Sequence, residues 1–88
     1  MDGMMHPMLP TYIATYLHRH TPEYRRYLLD DPQTTLEHLM LDALCPVEIA
    51  MLIEDENPGL EIADEVYEAW RTLADVAETA RVFEGVGG

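Results

Sequence analysis

The chain has 88 residues, of which 48% are hydrophobic, a formal net charge of −12 and no lysine. That length makes one small domain that buries about 60% of its unfolded surface, and it leaves little room for an enzyme pocket of about 300 Å³ or more. The charge repels phosphate backbones and anionic lipid alike and favours a basic partner surface.

The N-terminal stretch Met1 to Pro10 holds four methionines and two prolines. It is expected to be extended or mobile, with residues 1–9 outside the domain proper. Met and His residues can bind Cu(I), but the spacing here is irregular and only His6 assists, so no metal site is expected. Pro10 opens a helix with Tyr12, Ile13, Tyr16 and Leu17 on one face. Thr21-Pro22-Glu23 reads as the next helix start. Threonine caps, proline suits the first helical position and the carboxylate suits the positive helix end. This helix is expected to reach about Leu29 and to bury Tyr24, Tyr27 and Leu28. Asp30-Asp31-Pro32 stops it.

Thr34 or Thr35 is expected to cap a third helix with Leu36, Leu39, Met40, Ala43 and Leu44 as its apolar stripe. Cys45-Pro46 begins a fourth, with Val47, Ile49, Ala50, Leu52 and Ile53 on its apolar side. Glu54 to Gly59 is a polar turn. Asn57 is expected to cap a last helix, with Pro58 at its first position. That helix is expected to run from about Pro58 to Phe83, a length of about 40 Å. Ala63, Val66, Tyr67, Trp70, Leu73, Ala74, Ala77 and Ala80 form its stripe, and Glu61, Asp64, Glu65, Glu68, Asp75 and Glu78 lie mostly on the other face. The predicted fold class is all-α: a bundle of four to five helices over residues 10–84, with a flexible tail at 85–88.

The acid is unevenly placed. Residues 1–46 carry six Asp and Glu against Arg19, Arg25 and Arg26, and residues 47–88 carry eleven against Arg71 and Arg81. The acidic half contains residues 46–66, PVEIAMLIEDENPGLEIADEV. This segment resembles the helix-turn-helix pattern of small bacterial and phage regulators. Ala50 matches the small residue within the first helix, Ile49 and Ile53 its apolar flanks, and Leu60 and Ala63 the anchors of the second helix. The resemblance covers about a quarter of the chain and implies a helix-turn-helix-like centre. It departs from the family in two places. Glu54 stands where the tight turn usually has glycine. Glu56, Glu61, Asp64, Glu65 and Glu68 stand where the family contacts bases and phosphates through basic or amide side chains. Carboxylates there lose the counterion release that drives DNA affinity.

Those acids suggest a decoy. Glu54, Asp55, Glu56, Glu61, Asp64, Glu65 and Glu68 are the expected partner-binding residues, presenting a line of negative charge to a basic groove in place of phosphates. Inhibitors from phages and mobile elements, some anti-CRISPR proteins among them, are similar in type. The same acids also fit a solvated helix face that serves solubility. The alternative patch is His18, Arg19, His20, Arg25 and Arg26. It would serve a DNA-binding regulator, or pair within the chain with Asp30, Asp31 or the last helix at about 0–1 kcal/mol each. A third reading is a homo-oligomer, with a homodimer as its simplest form and the long helix as its seam.

No enzyme or cofactor is expected. Cys45 is alone, so it forms no internal disulfide. It lacks a neighbouring base and is expected to be buried. His18 and His20 are spaced poorly for one metal ion, and His38 stands alone. No phosphate loop, zinc spacing or serine elbow is present. No segment has the ~20 apolar residues of a membrane span. The expectation is a cytoplasmic, non-enzymatic protein that binds a basic protein surface, with direct nucleic-acid binding less favoured.

Overall fold

Apolar residues at three- and four-residue steps direct most of this chain into helices, and proline, glycine and backbone ties across the fold decide where they stop. The computed structural model describes residues 9–39 and 43–87. The expectations for the first eight residues and for Met40 lie outside them. Helix α1 spans Thr11–His20, α2 Cys45–Glu56, α3 Asp64–Glu68 and α4 Leu73–Gly87, with 3-10 helices at Glu23–Asp30 and Leu36–Leu39. Among the described residues there is no strand, and the single isolated bridge joins Thr35 to Thr72. The architecture is all-α, as expected.

Pro10 starts α1: its carbonyl accepts from the Ala14 N–H at 2.9 Å and from the Ile13 N–H at 3.1 Å. Ile13 and Leu17 enter the core, with Tyr12 and Tyr16 half-buried beside them. Leu9, expected in the flexible segment, is buried in the same core.

The second predicted helix forms as a 3-10 helix, and its start differs from the expectation. Pro22 occupies the cap position without a side-chain bond. The Thr21 hydroxyl is buried and has no hydrogen-bond partner among the described residues. Tyr24 and Tyr27, expected to be buried, are 68% and 71% exposed, whereas Leu28 and Leu29 pack against the core. Two side-chain ties shape the segment. Arg25 Nη1 donates to the His38 carbonyl at 3.1 Å and Arg26 Nε to the His18 carbonyl at 2.9 Å. A 3-10 helix has three residues per turn, which turns different side chains inward than an α-helix would.

The third predicted helix is a single 3-10 turn. Thr35 Oγ1 accepts from the His38 N–H at 3.2 Å, and Thr34 Oγ1 donates back to the Leu28 carbonyl at 2.8 Å. Leu39 is fully buried, but Leu44 is exposed. Helix α2 buries Ile49, Ala50 and Ile53 as expected, whereas Val47 and Leu52, expected on the same side, are only half-buried. Cys45, Ile49, Ala50 and Ile53 are buried on one side, Ile49 and Ile53 each contributing about 1.5–3 kcal/mol by removal from water.

The chain then turns instead of starting a helix. Leu60 N–H donates to the Asn57 carbonyl at 3.0 Å, and Gly59 has φ +93°. Proline and glycine in the two central positions make a type II turn. Asn57, expected to cap the next helix, instead donates from Nδ2 to the Ile53 carbonyl at 2.8 Å and closes α2. A Cβ on Gly59 would meet nothing within 4 Å. Gly59→Ala is therefore expected to cost about 1–2 kcal/mol through the left-handed backbone alone. Urea unfolding measures this, and an unchanged midpoint would contradict the turn.

The single long helix predicted over residues 58–83 is divided. Val66 and Tyr67 are half-buried on α3, then Trp70 enters the core and the chain runs extended to Thr72. Two causes appear in the hydrogen bonds. Backbone groups at the break are taken by the 32–36 loop: Leu36 N–H donates to Arg71 O at 2.9 Å, Leu73 N–H to Thr34 O at 3.0 Å and Ala74 N–H to Pro32 O at 2.9 Å. Thr72 and Asp75 form a capping box that restarts the helix. Thr72 Oγ1 accepts from Asp75 N–H at 3.3 Å, and Asp75 Oδ2 accepts from Thr72 N–H at 3.1 Å and Arg71 N–H at 2.8 Å. Helix α4 buries Leu73, Val76 and Ala80 and extends through Gly85 to Gly87, where a tail was expected. Val76 and Ile62 are core residues that the predicted stripe did not include.

The backbone hydrogen bonds from Arg71 and then Thr72 hold the Asp75 carboxyl below the usual range. A depressed carboxylate contributes stability above its unfolded value, near pH 4, and loses it as the pH falls through the lower folded value. Asp75→Asn is expected to lower stability at neutral pH, and to do so progressively less below about pH 4. Urea midpoints across that range check it, and a cost that stays constant with pH would contradict it.

Candidate functional site

The predicted acidic residues fall on the end of α2, the turn after it and α3. Asp55 and Glu56 occupy the last turn of α2, Glu61 the extended connection, Asp64 and Glu65 the first turn of α3, and Glu68 its end. These six are exposed. Among the described residues, the side chains of Asp55, Glu56, Glu61, Glu65 and Glu68 take part in no hydrogen bond or ion pair. The Arg81–Glu78 ion pair lies elsewhere, on α4. Asp55 and Glu56 also sit at the negative end of the α2 dipole, with no basic residue in that turn. This placement is unfavourable for the helix itself.

Glu54 differs from the other six. It is half-buried, and its Oε2 accepts from the Ile62 N–H at 2.7 Å. It ties the end of α2 to the connection leading into α3 and so holds the acidic surface in shape. Sequence spacing alone placed Glu54 with its neighbours; its partner is eight residues away across a turn.

Tyr67, half-buried against the core as its place in the stripe predicts, also belongs to this surface. Its hydroxyl donates to Asp64 Oδ1 at 3.1 Å. That hydrogen bond, followed by burial and the charges of Asp64, Glu68 and Glu54, raises its pKa above the ordinary tyrosine value. Its ring lies 6.4 Å from Trp70 at 57°. The i, i+3 spacing of Asp64 and Tyr67 was the available signal.

The basic patch is only partly presented. His18, Arg19 and His20 are exposed in the last turn of α1, where the helix dipole favours them. The His20 ring stacks on Tyr16 at 4.3 Å. Arg25 and Arg26 are half-buried and bind backbone carbonyls rather than Asp30, Asp31 or the last helix. A shallow depression of about 370 Å³ is lined by Ala14, Thr15, His18 and Arg19. Another of about 310 Å³ is lined by Thr35, Leu36, Glu37, Trp70 and Arg71. Beside the second, Thr35 Oγ1 lies 3.1 Å from His38 Nδ1.

Cys45 is buried at the start of α2, as expected. The nearby Tyr16 hydroxyl donates to Glu48 Oε1, joining α1 to α2. Burial first, and this hydrogen bond second, hold the phenol protonated well above the ordinary tyrosine range. Among the described residues, no group of three or more His, Cys, Asp or Glu is placed to hold a metal ion. No helix among them is long and apolar enough to cross a membrane.

The α2–α3 segment departs from the helix-turn-helix pattern. That motif joins two helices by a turn of about three to four residues. Here residues 57–63 intervene, and α3 has only five residues. No protein-family model, curated protein or solved structure matches the chain.

Proposed function

We propose that this chain is a non-enzymatic binding module whose acidic surface occupies a basic surface of a nucleic-acid-handling protein. The observation that supports the reading is the gathering of Asp55, Glu56, Glu61, Asp64, Glu65 and Glu68, all exposed, on one connected stretch of α2, turn and α3. Like charges held together weaken the fold, and Asp55 and Glu56 oppose the α2 dipole as well. A basic groove built for phosphates would relieve that repulsion. The role suits an inhibitor of the kind that phages and mobile elements encode. The regulator alternative is weaker, because Arg25 and Arg26 are engaged with carbonyls and α3 is short for a recognition helix.

Competition tests the mimicry. A partner recovered with this chain should be released by its own nucleic acid in a concentration-dependent way. A complex that persists at saturating nucleic acid would contradict occupation of the phosphate-binding surface.

A further inference from the structure

The face of α2 that points away from the core is not polar. Cys45, Ile49, Ala50 and Ile53 mark the inward side. At about 100° per residue, the opposite side carries Leu44, Val47, Glu48, Met51 and Asp55, with the last four about three, four, seven and eleven residues beyond Leu44. Leu44 is 62% exposed and Met51 55%, with Val47 half-buried between them. Glu48 and Asp55 are exposed. A helix lying on a core normally turns charge and amide groups outward. Here three apolar side chains form an outward line of the kind that anchors a partner helix. Methionine at its centre adapts to different partner shapes.

The charges on the same face select the occupant. Glu48 and Asp55 lie about one turn to either side of Met51. The Tyr16 hydroxyl fixes the position of the Glu48 carboxylate. A second copy packed symmetrically on this face would bring Glu48 and Asp55 against their own equivalents, a like-charge contact that disfavours pairing. An anionic lipid surface meets the same repulsion. A helix with its own apolar stripe and lysine or arginine beside it satisfies both features together.

We infer that the outer face of α2 docks a basic amphipathic helix of the partner protein, with Leu44, Val47 and Met51 as apolar anchors and Glu48 and Asp55 as flanking charges. This rests on the acidic-surface reading and adds the partner's local structure to it.

The test uses the full chain and a fluorescent synthetic peptide, an amphipathic leucine–lysine helix, titrated by anisotropy at low salt. A peptide of the same composition, with its order scrambled to remove the stripe, is the comparison. The amphipathic peptide is expected to bind at least about tenfold more tightly than the scrambled one. In the double variant Leu44→Ser and Met51→Ser that preference should disappear, with the scrambled peptide's affinity and the thermal midpoint unchanged. Equal affinity for both peptides, or a preference that survives the double variant, would overturn the docking face and leave the acidic surface standing. Failure of both peptides to bind would remove both readings. Sedimentation of the wild-type chain as a dimer that the double variant converts to monomer would assign the face to a second copy and overturn the proposal.

Discussion

Trp70→Ala is expected to leave a large part of the molecules unfolded at physiological temperature. The side chain is 8% exposed and sits in the core with Leu73, Val76 and Ala80. Its indole Nε1 donates to Thr79 Oγ1 at 2.8 Å, and that hydroxyl in turn donates to the Asp75 carbonyl at 3.1 Å. The tryptophan therefore fills space and also joins the 70–72 break to the body of α4. Truncating a buried tryptophan costs about 3–5 kcal/mol. A domain of this size has a total stability of roughly 5 kcal/mol or a little more. The thermal midpoint should fall by roughly 15 °C or more. Trp70→Phe keeps most of the volume and loses the hydrogen bond, so it should cost about 1–2 kcal/mol, mainly through the unpaired Thr79 acceptor and the smaller ring. Circular dichroism melts separate the two. A loss of only a few degrees for the alanine variant would contradict the buried position of Trp70.

The second large effect concerns binding. Glu61→Arg, Glu65→Arg and Glu68→Arg together reverse three exposed charges, each without a hydrogen bond or ion pair among the described residues. Removing carboxylates that sit in a field of their own sign should not destabilise the fold. Melting is expected to stay within about 0.5 kcal/mol of wild type or to rise slightly. Affinity for the proposed basic partner should fall by about a hundredfold or more, because each reversal replaces an attraction with a repulsion. The dependence of affinity on salt should flatten in the same variant, since fewer opposite charges meet. An affinity and salt slope equal to wild type would place the interface elsewhere. Glu54 is left unchanged in this variant, because its bond to the Ile62 N–H makes it part of the scaffold.

Helix α2 was readable from its residues because Ile49, Ala50 and Ile53 at helical spacing, a proline in the first turn and a polar end agree over twelve residues. Exposure of the six acids followed from the same logic, since an ionised side chain stays out of the core unless something pairs with it. Glu54 breaks that logic through a contact across the turn. The long helix failed for a reason present in the chain: Thr72-Leu73-Ala74-Asp75 is a capping box, and Pro58-Gly59 favours a type II turn over a helix start. The 3.6-residue pattern spans both and conceals them. The remaining contribution is tertiary, from the carbonyls of Pro32 and Thr34 that accept the first amides of α4. Thr21-Pro22-Glu23 carries every local mark of an α-helix start, yet the segment is a 3-10 helix bound through Arg25 and Arg26 to carbonyls at His38 and His18. Such ties join residues distant in sequence and leave no local pattern, so the outward turn of Tyr24 and Tyr27 was not legible.

The proposal that this chain acts through its acidic surface is tested most directly by capture from nuclease-treated lysate of the host. The tagged wild-type chain and the triple arginine variant are washed at low and then high salt, and the retained proteins are identified by mass. The account predicts one stoichiometric nucleic-acid-binding protein on the wild-type chain, released by high salt and absent from the variant. Recovery of the same protein on both chains, or of the bait alone, would contradict it.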